Sequence, residues 1–148
     1  MTTIGLDTFD TTVHETNAWL KDIMERLKSD NRRLAYSALR CTLHALRDCL
    51  TPESAVHLGA QLPMLIRGFY YEGWRPSDTP TNEKHAENFI DRVDDALPAG
   101  LDIDPEAAVI AVLAVMADRL DAGEIAKVAR QLPRDMHQLW PEAFRRGA

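Results

Sequence analysis

The sequence is poor in the features that tie a chain to disulfides, membranes or known chemistry. It holds two cysteines, Cys41 and Cys49, in 148 residues. Both fall in a stretch with helical periodicity, where their eight-residue spacing rises about 12 Å. A disulfide tolerates roughly 7 Å between Cα atoms, so the pair is read as two free thiols within one chain. The start, MTTIGLDTFD, has neither a basic n-region nor an apolar h-region. Together these predict a reducing, cytoplasmic setting. Long apolar runs are also missing. The longest, Ala107 to Ala117, is far short of the ~20 residues that a bilayer span requires, so no membrane segment is expected. Positive charge is in deficit, with 17 Lys and Arg against 23 Asp and Glu and a formal net charge of −6. Such a field repels phosphates and makes nucleic acid a disfavoured partner.

Catalytic signatures are missing too. There is no glycine-rich phosphate loop, GxSxG elbow, paired CxxC or HExxH. His14-Glu15 opens like the last of these, but position 18 is alanine. Cys41, His44, Asp48 and Cys49 share one helix, yet Cys41 and His44 lie about 60° apart around it and Cys49 turns to the apolar face. No single ion is expected to gather them. A redox role for Cys41, beside Arg40, would need a depressed thiol pKa. Asp91, Asp94, Asp95, Asp102 and Asp104 lack the spacing and central glycine of a calcium loop. No cofactor or metal is expected, and the chain is not read as an enzyme.

What is present is a repeat. An ungapped shift of 70 positions places Trp19, Leu20, Ile23 and Leu27 on Phe89, Ile90, Val93 and Leu97. It also places Ala38, Leu43, Asp48 and Leu50 on Ala108, Leu113, Asp118 and Leu120, and Gln61-Leu62-Pro63 on Gln131-Leu132-Pro133. The pattern predicts an all-α fold, a tandem pseudo-symmetric pair of four-helix units sharing one core. The units cover about 13–72 and 83–142 of a single domain, 1–148, and a proline-rich polar linker, 73–82, joins them. Helices are expected at about 13–28, 32–50 and 52–62, and again at 84–97, 105–120 and 122–132, each set followed by a short helix starting at Pro63 or Pro133. Thr51-Pro52-Glu53 and Asp104-Pro105-Glu106 supply an N-cap oxygen, a first-turn proline and a first-turn acid.

The segment QLPMLIRGFYYEGWRP, Gln61 to Pro76, with the later QLPRDMHQLW, resembles the bacterial family known as domain of unknown function 2267. The resemblance spans nearly the whole chain. It implies a helical protein of two related halves, marked by a Leu-Pro step followed by an arginine and aromatics, and implies no activity or residue roles. The second half departs from the pattern, with Gln138-Leu139-Trp140-Pro141 in place of the Gly-aromatic-aromatic continuation.

Two features stand out from this background. On the second helix Arg33, Arg40 and Arg47 recur every seven residues, with Ser37 and His44 beside them. The matching stripe of the later half is Ile103, Ala107, Ile110, Ala114 and Ala117. The stripe is thus read as wet and cationic in one half and apolar in the other, which predicts that the helix at 105–120 is the most buried element. The arginines either form a solvated face that answers nearby acids, those of the more acidic second half among them, or bind phosphate, an acidic partner helix or nucleic acid. The second feature is the Met64–Trp74 region: Met64, Leu65, Arg67, Tyr71, Glu72 and Trp74. Surplus apolar and aromatic side chains beside charges suit an interface, a small pocket, or a linker pinned to its own protein. The leading expectation is a non-catalytic interaction or regulatory module with a protein partner or a second copy of the chain. The alternative is a small-molecule sensor with a pocket between the halves, lined by Tyr71 and Trp74 and anchored by Arg67.

Overall fold

The computed structural model describes residues 5–144. Regular structure among them is entirely helical: α1 (Asp7–Leu27), α2 (Arg32–Cys49), α3 (Pro52–Gln61), α4 (Met64–Tyr71), α5 (Ala86–Ala96), α6 (Pro105–Arg119) and α7 (Ala122–Gln131). Short 3-10 turns follow at Pro76–Asp78, Arg134–Leu139 and Glu142–Phe144. Side-chain caps set the starts. Asn31, Thr51, Asp104 and Asp121 accept hydrogen bonds from the backbone N–H of Leu34, Ser54, Ala107 and Glu124, satisfying donors that a helix N-terminus leaves without partners. The bounds of α3 and α7 differ by a shift of 70 residues, which is compatible with the repeat in the sequence.

Two elements depart from expectation. α1 begins at Asp7 rather than near 13, because Asp7 and Asp10 favour the positive end of the helix and two threonines in this polar stretch find partners. The Thr16 hydroxyl donates to the Thr12 carbonyl at 2.7 Å, and the Thr12 hydroxyl accepts from the Leu65 N–H at 2.9 Å. The second difference is the fourth segment of the later half, a 3-10 turn over Arg134–Leu139 instead of an α-helix. Pro133 and Pro141 bracket that stretch, and each disfavours helical geometry in the residue before it, leaving too little chain for a stable α-helix.

One hydrophobic cluster draws on both halves. α1 packs on α2 and α6, and α2 also packs on α4, α5 and α6. Trp19, Ile23, Leu39, Leu43, Leu46, Phe89, Val112 and Leu113 are nearly or wholly buried where these helices meet. The expectation that 105–120 is the most buried element is overturned. α2 buries 12 of its 18 residues and α6 only 7 of 15. α2 occupies the centre, and α4 covers the Arg47 end of its polar stripe. On α6, by contrast, Ile110 remains 42% exposed and Ala107, Ala114 and Ala117 are half-buried.

Gly59, near the end of α3, shows how tightly the first half closes. A Cβ there would overlap the Tyr71 hydroxyl, and the Tyr71 ring is held between Tyr70 and Trp74 at centroid distances of 4.9 and 5.4 Å. At the position matching Gly59 the later half carries Ala129, and opposite it Pro141 replaces Tyr71, so the bulky ring and the missing side chain change together. Gly59→Ala should therefore lower stability by about 1–2 kcal/mol, overpacking outweighing the ~1 kcal/mol gain in helix propensity. Adding Tyr71→Leu should recover part of that loss. Thermal unfolding of the single and double variants checks both outcomes.

Candidate functional site

A helix ends with up to four carbonyls that have no partner within the helix. α4 is only eight residues long, and the chain leaves it through Gly73 at a φ of 72°. α2 supplies the partners. His44 Nε2 lies 2.6 Å from the Phe69 carbonyl oxygen. Arg47 Nη1 donates to the Tyr70 and Glu72 carbonyls at 2.8 and 2.7 Å, while its Nε donates to Asp48 Oδ1 at 2.9 Å. Arg40 reaches the Glu72 carboxylate at 3.3 Å. Residues 40, 44 and 47 follow the i, i+4, i+7 rule of one helix face, so a single stripe of α2 caps the end of α4. Cations at that end also meet the negative pole of the helix dipole.

This corrects the reading of the stripe as a wet surface. Arg47 is only 4% exposed, and Ser37 is buried as well. The acids that answer Arg40 and Arg47 are Glu72 and Asp48 of the first half, not acids of the second. Arg33 alone of the three arginines is fully at the surface. Arg67 plays a similar part for α3, donating from Nε to the Gly59 carbonyl at 2.9 Å and from Nη2 to the Leu62 carbonyl at 2.8 Å.

The titratable groups of this face fit a structural role. Burial pushes the His44 pKa below its ordinary 6.5, with Arg47 and Arg40 acting in the same direction and the Phe69 carbonyl against them. Burial raises the Cys41 thiol, which Arg40 offsets only in part, and raises Cys49 too. The depressed thiol pKa that a redox role requires is therefore absent at both. Tyr71 and Trp74 are half-buried, in tilted ring contact with each other and packed against the core.

Two open concavities of similar volume lie elsewhere. One of about 1010 Å³ sits between the halves, where Met24, Leu27 and Leu34 face Ile103 and Ala107 among charged Lys21, Glu25, Lys28, Asp30, Asp102 and Asp104, and contains none of the sequence candidates. The more apolar one lies within the first half. α1, the N-terminal part of α2 and α4 leave an apolar groove of about 1020 Å³. Five large side chains stand exposed along it: Phe9 (55%), Val13 (44%), Tyr36 (37%), Met64 (48%) and Leu65 (43%). Thr16, Leu20 and Phe69 form the buried floor, with the Tyr36 and Phe69 rings edge to face at 5.2 Å. Gly68 faces the space, and a Cβ added there would meet nothing within 4 Å. Arg32, Arg33 and Glu72 are the charged lining residues. Of the sequence candidates the groove gathers Arg33, Met64, Leu65 and Glu72 and leaves Arg40, His44, Arg47, Arg67, Tyr71 and Trp74 outside. Arg67, Tyr71 and Trp74 thus line neither this groove nor the concavity between the halves, so the pocket expected from them is not formed by those residues. Phe9, Val13 and Tyr36 line the groove as well and are not among the sequence candidates. The spacing of Leu6, Phe9 and Val13, three and then four residues, is an apolar stripe that was legible once α1 was extended to Asp7.

A sequence model of the family described as "Uncharacterized conserved protein (DUF2267)" matches residues 16–139, and the chain belongs to that family. No curated protein matches it. The matched span includes Tyr36, Met64, Leu65 and Gly68, whereas Phe9 and Val13 precede it.

Replacing Arg47 by alanine leaves two carbonyls and the Asp48 carboxylate without their donor, at a cost of about 3 kcal/mol. The melting temperature should fall by about 9 °C, with partial recovery in Arg47→Lys. His44 gives a pH signature. Its pKa is depressed in the folded state, so its contribution is complete above the unfolded value of 6.5 and is lost as pH falls below it. His44→Gln, which keeps an N–H donor, should remove that part of the acid sensitivity. Melting temperatures of wild type and variant between about pH 7 and 5 check this.

Proposed function

We propose that this chain is a non-catalytic interaction module that docks a protein partner in the α1–α2–α4 groove. The observation that carries the proposal is the convergence of Phe9, Val13, Tyr36, Met64 and Leu65, all exposed, on one trough with open space above Gly68. Scattered exposed apolar residues are ordinary, but a contiguous apolar patch rimmed by charge marks an association surface. Two further observations support it. The basic side chains that would draw a catalytic assignment, Arg40, His44, Arg47 and Arg67, direct their nitrogens at carbonyls and two carboxylates of their own fold. The trough is open, whereas an enclosed small-molecule site buries most of its ligand. A reducing, cytoplasmic setting belongs to the same proposal and is supported by Cys41 and Cys49 being separate, buried thiols.

Gly68→Leu fills the groove without touching the core, and Leu65→Glu places a charge on its wall. Both sites are exposed, so Leu65→Glu should change stability by no more than about 0.5 kcal/mol, and Gly68→Leu, which removes a glycine from inside α4, should leave it unchanged or raise it by up to about 1 kcal/mol. Losing one buried leucine contact is worth about 1.5–3 kcal/mol, which means a tenfold or larger drop in affinity. The full chain, immobilised and exposed to lysate of its own cells, should retain a partner that both variants release. Retention by wild type and variants alike, or by none, overturns the proposal.

A further inference from the structure

Resting on the groove reading just given, we infer that the docked element is an acidic amphipathic helix. The shape selects a helix. The described residues contain no strand, so an extended peptide finds no sheet edge to pair with. Three helices already wall the trough, and a fourth lying in it would complete a bundle at ordinary interhelical distances. From Phe9 to Leu20 the α1 wall runs about 16 Å, close to three helical turns. That length accommodates apolar anchors at i, i+3 and i+7 of the partner.

Charge selects the acids. In a chain of net charge −6, the residues at one end of the groove are Arg32 and Arg33. Among the described residues neither forms an ion pair, and Arg32 meets only the neutral side-chain oxygen of Asn17, at 3.0 Å. The acid that lines the groove, Glu72, is already answered by Arg40. The trough therefore offers uncompensated positive charge at the arginine end and a neutralised pair with Glu72. A helix whose last turn carries glutamates satisfies those arginines, and the negative pole of its dipole adds to the match.

The test uses the full chain and a set of synthetic helical peptides. They share one leucine face at i, i+3 and i+7 and differ only in the last turn, which carries glutamate, glutamine or lysine. Fluorescence anisotropy at low and high salt reads their affinities. The glutamate peptide should bind about tenfold more tightly than the lysine peptide, and the gap should shrink as salt rises. Arg33→Glu, at an exposed position, leaves Arg32 facing a new carboxylate and should erase the preference for glutamate over lysine, and Gly68→Leu should abolish binding of all the peptides. Equal binding by all of them, lost in Gly68→Leu, overturns the acidic selection while leaving the groove as a helix-docking site. Binding by none overturns the groove proposal as well. Sedimentation of the chain alone completes the test: self-association that Gly68→Leu disperses would show a second copy in the groove and overturn the inference.

Discussion

Arg47 carries a full positive charge inside the protein, and the position of α4 depends on it. A buried charge is tolerated only where it is paired and hydrogen-bonded, and here the planar guanidinium meets two carbonyls and a carboxylate together. The two carbonyls belong to the end of α4 and the residue just beyond it, so the arginine fixes where that short helix stops and how it approaches α2. At the other end, the Thr12 hydroxyl receives the Leu65 N–H. α4 is too short to be stable alone. It is held by polar contacts at both ends and by Ile66, Phe69 and Tyr70 packed inward. With that orientation set, Met64 and Leu65 have no choice but to face outward across Phe9 and Val13. The groove is thus a consequence of how α4 is anchored.

The two halves solve the same burial problem with different chemistry. In the first, the later part of a polar stripe on α2, His44 and Arg47, is drawn inward because α4 brings carbonyls to it. In the second, the matching stripe on α6 is apolar, and the segment following α7 is a proline-bracketed 3-10 turn. The result inverts the simple ranking by hydrophobicity. The helix that is apolar nearly all round keeps Ile110 exposed, while the helix with arginines lies at the centre. Hydrophobic patterning shows which faces can be buried without cost. Which faces become buried is decided by the partners that the chain topology delivers.

This is also why some of the molecule was legible in its sequence and some was not. Helix bounds were written in local chemistry: Thr51, Asp104 and Asp121 as caps, Pro52 and Pro105 in first turns, the Leu-Pro steps as breaks. Each acts within a few residues, so the sequence shows it directly. The role of Arg47 was illegible because it depends on carbonyls more than twenty positions away, and carbonyls belong to every residue alike. An arginine recurring every seven residues looks the same whether water or a helix end covers it. The groove was half legible. Met64 and Leu65 stood out against Arg134 and Asp135 at the matching positions of the later half. Phe9 and Val13 were hidden by threonines and aspartates that suggested a later helix start, and Tyr36 by its place among arginines.

The arrangement separates what holds the fold from what faces outward. The contacts that secure α4 run through backbone atoms, Arg47, His44 and Thr12, none of which lines the groove apart from the buried Thr12 on its floor. The groove wall is built from side chains at the ends of their reach, on helices whose opposite faces are already packed. Substitutions at positions 9, 13, 64 or 65 therefore change the surface without opening the core, whereas a change at Arg47 moves the helix that carries half of that surface. A chain built this way can alter the groove's contacts while keeping its architecture, because the polar cap carries the geometric constraint and the apolar wall is left free of it.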